Sequence, residues 1–402
     1  MLPELVSMSV ILSTLTSGAW IGDQGVQPEP PVATSGAFDA PPVLDWLRVL
    51  PGMPGMSATH TERSRPSTDG TWVYLGQDSN DAIYQVHPVT GAVHQTIPTK
   101  GPVQSQVLFI DSDLIFCDLG GYTHRLSPDG QGPGWQHFGG APIASTPTLH
   151  SDVLYVSNVD DTVYALDAGS GELIWRYARP ADPTRSSELT LFGAPSPTID
   201  GDQLLVGFAD GNLVALRLSD GQVNWERRVG EGRYPDLIGT PLVLDGTAYV
   251  GGFSEPLVAV DLETRNVRWR LEAVGSATLP TPHEGLLYHG GTDGKLRSIT
   301  QLDGEVLWTW DSQTTGALTQ PQLTEAGILV GSSDGTLYLV DPDSGLETWR
   351  WDPDMMLDGV TVAPLLIERQ AIVVTNAGRL MSLVVPAPVA PWDPDGADAF
   401  FQ

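Results

Sequence analysis

The sequence predicts an all-β fold: an eight-bladed β-propeller of four-stranded antiparallel blades, with seven blades as the alternative count. Three observations predict it. A block of about 40–50 residues recurs along the chain, as repeat architectures require. Glycine and proline supply 77 of the 402 residues, which favours many turns over long helices. An unpaired fourth strand at one end of the repeat array matches an incomplete blade at the other, so the ring closes by joining them.

Residues 1–20 (MLPELVSMSVILSTLTSGAW) carry a mildly apolar run from Leu5 to Leu15, too short to cross a bilayer, and then the small residues Ser17, Gly18 and Ala19. Glu4 precedes the run and the first basic residue is Arg48. The segment reads as a weak export signal, with a misassigned start or a cytoplasmic tail as the other readings. No cysteine follows the run, so as written it offers no lipid-anchor site. Residues 21–42 are a Pro-rich linker, and residues 386–402 form an acidic Pro-rich tail. The propeller is expected over residues 43–385, and no other segment reaches transmembrane length.

The repeat is clearest at TVYALDAGSGELIWRY (162–177), which returns near 213, 257, 296 and 337 and more weakly near 83 and 122. Each block reads as four short strands. A proline opens the innermost strand (Pro66, Pro147, Pro197, Pro241, Pro280, Pro321 and Pro364), where a missing amide donor is tolerated on an edge. The second strand is apolar, as in VLYVS (153–157). Asp210-Gly211, Asp293-Gly294 and Asp334-Gly335 then predict tight turns with positive φ at both central residues. The fourth strand carries an indole. The column runs Gln95, Trp135, Trp175, Trp225, Trp269, Trp308 and Trp349, at spacings of 39 to 50 residues. The last blade ends at AGRLMSLVV (377–385) without a fourth strand, and VLDWLRVLP (43–51), with Trp46, supplies it.

Charge and motif content narrow the function. With 49 acidic against 20 basic residues the net charge is −29, which disfavours nucleic acid and anionic lipid as partners. The single cysteine, Cys117, excludes an internal disulfide framework and a Cys-rich metal site. The eight histidines show no zinc-binding spacing, and no nucleophile elbow, Walker loop, dinucleotide fingerprint or calcium loop occurs. No catalytic, cofactor-binding or metal-binding residue is therefore expected.

The pattern Ala165-x-Asp167-x-x-Ser170-Gly171-x-x-x-Trp175 resembles the tryptophan-docking repeat of the quinoprotein (PQQ-like) propeller superfamily. That resemblance implies a structural role for Trp46, Trp135, Trp175, Trp225, Trp269, Trp308 and Trp349, each mortaring one blade to a neighbour. The superfamily's dehydrogenases hold pyrroloquinoline quinone and calcium, often with an adjacent cysteine pair that one cysteine cannot form. Within the superfamily the chain is most similar to the BamB family of the outer-membrane barrel-assembly machinery. SELTLFGAPSPT (187–198) looks like that family's partner-contacting loop, placing its leucines at Leu189 and Leu191 and its arginine at Phe192. The family's second contact leaves only Asp236 here, before Thr240-Pro241. The 50-residue spacing from Trp175 to Trp225 independently marks an insertion over 178–192 that carries these apolar residues. The resemblance implies a non-enzymatic periplasmic, outer-membrane-associated scaffold. Its partner would be the periplasmic domains of the central barrel-assembly protein, and the chain itself a monomer within that larger complex. A quinoprotein-type dehydrogenase, intact or degenerate, and an extracytoplasmic sensor or adhesion propeller are the alternatives.

Overall fold

The computed structural model describes residues 32–33, 41–50, 64–77, 81–129, 134–180, 195–231, 234–252, 254–271, 275–276, 278–314, 316–352 and 359–386. They build eight antiparallel sheets and, among the described residues, no helix. In chain order blades 1 to 7 cover 67–98, 108–138, 148–178, 198–228, 242–270, 281–311 and 322–351. Blade 8 is made from both ends of the chain. Its inner three strands are Leu365–Ile367, Gln370–Val374 and Arg379–Val384, and its outer strand is Val43–Val49. Val43 pairs with Val384 and Val49 with Arg379, so the predicted ring closure and the count of eight both hold.

Blade 3 shows why the repeat folds as it does. Val153–Ser157 and Thr162–Asp167 are buried almost throughout, because blades pack on both of their faces. The outer strand Leu173–Ala178 is mostly exposed and buries Trp175. The core consequently lies between blades. Tyr249, Ala259 and Trp269 of blade 5, for example, pack with Leu287 and Ile299 of blade 6.

The turn chemistry differs from expectation. At Asp210-Gly211, Asp293-Gly294 and Asp334-Gly335 only the glycines take positive φ. Gly211 N donates to Phe208 O, closing a four-residue turn in which glycine alone is left-handed, so the aspartates need no strained backbone. Two consecutive left-handed residues occur instead between first and second strands, at Asp111-Ser112, Ser151-Asp152, Asp245-Gly246 and Glu284-Gly285. The linker also contributes structure: Val32–Ala33 adds a fifth strand to the outer edge of blade 7, pairing with Arg350 and Trp349.

The innermost strands surround a central tunnel and are stitched to one another by hydroxyls. Thr146 Oγ1 accepts from Gln106 N, Ser196 Oγ from Thr146 N and Thr240 Oγ1 from Ser196 N, at 2.9–3.1 Å. The hydroxyls of Thr148, Thr198 and Thr281 donate to the carbonyls of Pro197, Pro241 and Pro321 on the next blade. A cavity of about 440 Å³ opens against this wall over blades 3 to 6.

Candidate partner-binding surface and the tryptophan joints

Five of the indoles donate to the turn between the third and fourth strands of the following blade. Trp46 Nε1 donates to Pro88 O at 2.9 Å, Trp135 to Ala168 O at 3.1 Å and Trp175 to Leu218 O at 2.8 Å. Trp269 reaches Gln301 O at 3.1 Å and Trp308 reaches Pro342 O at 3.0 Å. Gln95, which holds the indole's place in blade 1, donates from Nε2 to Pro128 O at 2.8 Å. The amide keeps the hydrogen bond and gives up the ring.

The turn is shaped for the ring. Gly91, Gly171, Gly221, Gly304 and Gly345 have φ between +64° and +76°, and a Cβ on any of them would enter the ring facing it. Aspartate holds the turn: Oδ1 of Asp167 accepts from Ser170 N at 2.7 Å, and Oδ1 of Asp341 accepts from Ser344 N at 2.8 Å. A bulge in the outer strand aims the indole. The register shifts between Ala165 and Leu166 beside Trp175, and likewise beside Trp225 and Trp269.

Two joints differ, each with a cause in the sequence. Blade 5 has Arg265 where blades 1, 3, 4, 6 and 7 have glycine, at φ +61°, and its guanidinium lies 6.0 Å over the Trp225 ring. Trp225 Nε1 turns back to Gln203 Oε1 of its own blade, at 3.1 Å. Blade 8 has no such turn, because its third strand, Arg379–Val384, and its fourth, Val43–Val49, are not consecutive in the chain, and the fully buried Trp349 keeps an unpartnered Nε1 among the described residues.

The groups that look most like catalytic pairs have a repeat role. His124 Nε2 lies 2.7 Å from Asp118 Oδ2, both buried. In blade 3 the same two positions are Asn158 and Tyr164, bonded at 2.9 Å. In blade 6 the second position is Arg297, which grips Asp293 at 2.5 and 3.0 Å. One hairpin clamp is thus written in three chemistries. Cys117 beside it is fully buried, and desolvation pushes its thiol up to about 12, which leaves no thiolate nucleophile near neutrality. Among the described residues no three His, Cys, Asp or Glu side chains gather as metal ligands.

Leu189, Leu191 and Phe192 lie outside the described residues, but both ends of their segment are placed. Arg179 pairs with Asp210 at 2.5 Å and with Glu226 at 3.1 Å, and packs 5.3 Å over the Phe208 ring. At the other end Ser157 Oγ donates to Pro195 O. The insertion therefore starts and stops on fixed points of blades 3 and 4. Asp236 is buried, with 8 % of its surface exposed, in the loop ahead of blade 5, so it offers little side chain to a partner. The sequence reading passed over the rim of blades 6 and 7, where Leu302, Leu307 and Leu346 are 79, 52 and 68 % exposed. The signal was there: Leu302 and Leu346 stand at turn positions that blade 3 fills with Gly169 and Glu172.

With the ring and its indole joints established, comparison with known proteins gives the relationship. A family model described as outer membrane protein assembly factor BamB matches residues 46–310 and 292–386. The chain belongs to this family. The BamB of Shewanella oneidensis is 26 % identical over 183 residues, 44 % of this chain and 45 % of that protein. The quinohemoprotein alcohol dehydrogenase ADH IIB of Pseudomonas putida is 30 % identical over 156 residues, 36 % of this chain and 22 % of that enzyme. The matches span less than half the length of these curated relatives. The crystal structure of BamB from Moraxella catarrhalis superposes with a TM-score of 0.70 at 19 % identity, covering 85 % of this chain and 99 % of that one, and shares the fold. No helix among the described residues is long and apolar enough to cross a membrane.

Proposed function

We propose that the protein is a non-enzymatic cell-envelope scaffold, periplasmic and associated with the outer membrane, that assists assembly of outer-membrane β-barrel proteins by docking a protein partner. The observation that carries this is the BamB family match, which extends from Trp46 to Pro386. The anchored insertion with Leu189, Leu191 and Phe192 is the surface assigned to the periplasmic domains of the central barrel-assembly protein. Asp236 is given only a supporting role, through the loop it is buried in. The test is a pull-down with those domains. Wild type is recovered, and Leu189→Asp/Leu191→Asp loses at least about ten-fold in recovery, the scale of one hot-spot anchor. Equal recovery removes the insertion from the reading, and no recovery of either removes the partner.

A second reading has one observation in its favour, the 30 % identity to a quinohemoprotein alcohol dehydrogenase. Incubation with pyrroloquinoline quinone and Ca²⁺, followed by dye reduction with alcohols or sugars, decides it. Reproducible turnover establishes an enzyme, and its absence under saturating quinone leaves the scaffold.

A further inference from the structure

Among the described residues blade 7 alone carries a fifth strand, and that strand comes from the linker. Val32 pairs antiparallel with Arg350 and Ala33 with Trp349, on the outer edge of Glu347–Trp351. This edge therefore accepts an added strand. It is also held ready for one. Thr348, Trp349 and Trp351 are buried, and the two indoles pack with Val373, Met381 and Leu383 of blade 8. In blades 3 and 4 the outer strand buries only its docking indole and is otherwise mostly exposed. A strand fixed by its side chains presents its main chain with little further ordering cost. The linker uses this edge poorly. Among the described residues it meets two of the five residues of Glu347–Trp351. The sequence ahead of Val32 reads Pro28-Glu29-Pro30-Pro31, and proline has no amide hydrogen to give a ladder. Tethering favours the contact instead. Residues 34–42 join the strand to Val43–Val49 on the neighbouring blade, and a short tether gives a local concentration on the order of millimolar.

We propose that the outer edge of blade 7 docks an extended, proline-free, basic segment of a partner chain, which adds as a fifth strand in place of Val32–Ala33. A segment without proline can pair along the whole of Glu347–Trp351, so the linker is a built-in competitor that a better strand displaces. Charge selects a basic segment. The turn ahead of the edge carries Asp341 and Asp343, Glu347 and Arg350 neutralise each other at 2.6 and 2.8 Å, and the chain as a whole carries −29. A second copy of this chain is a worse occupant, because its linker has the same prolines and its charge the same sign. The inference does not depend on the scaffold reading, since it concerns the form of the docked segment and not the identity of the partner.

The test uses the full chain and a short peptide that alternates valine and threonine, with a lysine at each end. Fluorescence anisotropy measures binding, and amide hydrogen exchange locates it. Val32→Pro/Ala33→Pro disables the competitor and is expected to bind the peptide at least about ten-fold more tightly than wild type. Glutamate in place of the lysines, or a proline at the peptide's centre, is expected to weaken binding at least about ten-fold. Saturating peptide should slow exchange in Glu347–Trp351. The proposal fails if neither protein binds, if wild type and the double variant bind alike, if the glutamate peptide binds as well as the lysine one, or if protection falls on the outer strand of another blade. Should the double variant not fold, unchanged exchange of Glu347–Trp351 in peptide-saturated wild type overturns it equally. Concentration-dependent dimers of wild type that protect the same strand without peptide would give the edge to a second copy and also overturn it.

Discussion

Gly221 carries no side chain because Trp175 occupies the place where one would be. Removing the ring in Trp175→Ala is expected to cost about 3–5 kcal/mol, the usual range for a large buried aromatic. Gly221→Ala is expected to cost about 2–4 kcal/mol, from the left-handed backbone at φ +69° and the crowding of the ring together. In the double variant the crowding has no object, so the two costs should fall short of adding by at least about 1 kcal/mol. Urea denaturation of all four proteins measures this, and strict additivity would mean that ring and glycine do not meet. A second residue reports through pH. His289 is fully buried against Ser276 at 2.7 Å, and desolvation, helped by Arg297, lowers its pKa to about 4. The folded state thus favours the neutral ring. Its contribution is fully present above the unfolded value of 6.5 and is lost as pH falls towards 4, on the order of 3 kcal/mol. Between those pH values wild type should lose that much more stability than His289→Gln, and parallel curves would contradict it. The indole joints were legible because tryptophan and the turn glycine repeat together. The turning of Trp225 was not, since the bond of its Nε1 to Gln203 and the Arg265 guanidinium over its ring are visible only in the geometry.

Among elements, the outer strand of blade 8 has the largest consequence. Val43–Val49 brings Trp46 onto Val73, Leu75 and Tyr84 of blade 1 and covers Leu380. Removing residues 1–40 leaves this strand whole, and the remainder should fold as a monomer. Removing residues 1–50 bares the edge of Arg379–Val384 and the blade 1 surface, so that protein should aggregate or form oligomers. Size-exclusion chromatography with circular dichroism separates the outcomes, and a folded monomer from the longer deletion would show the strand to be dispensable. This strand was readable because a third-strand pattern ended without a fourth, while a lone indole-bearing strand stood at the other terminus. The primed turns were misplaced because Asp-Gly satisfies two turn geometries, and the number of residues between strands, which selects one, is not visible from the dipeptide. Leu302 and Leu346 were missed for a related reason: the comparison of blocks favoured what they share, and exposed leucines are what two blades do not share.

At the scale of the molecule, the net charge of −29 acts on a ring whose stability rests on apolar joints. Self-repulsion among surface carboxylates should be relieved by salt, so the melting temperature is expected to rise by several degrees between about 0.05 and 0.5 M NaCl, as the screening length falls below about 10 Å. A falling melting temperature would mean that pairs such as Arg179–Asp210 and Arg297–Asp293 outweigh the repulsion. Ring closure by repetition was the most legible feature, because eight copies of one pattern reinforce each other. The lumen was the least legible. Arg65 looks like any surface arginine until the ring brings Gln320 and Gln322 to it from 255 and 257 residues away.

The pairing of Val43 with Val384 has a consequence for where such a chain needs to begin. In blades 1 and 3 to 7 the third strand reaches the fourth through a short turn, and in blade 8 the two strands come from distant parts of the chain. A circular permutant that opens between two other blades and bridges 384 to 43 with the Asp-Ala-Gly-Ser-Gly segment of blade 3 would restore an eighth turn. It would place a backbone carbonyl before Trp349, whose indole N–H has no partner among the described residues. The break between Val384 and Val43 is then one of eight equivalent places to open the circle.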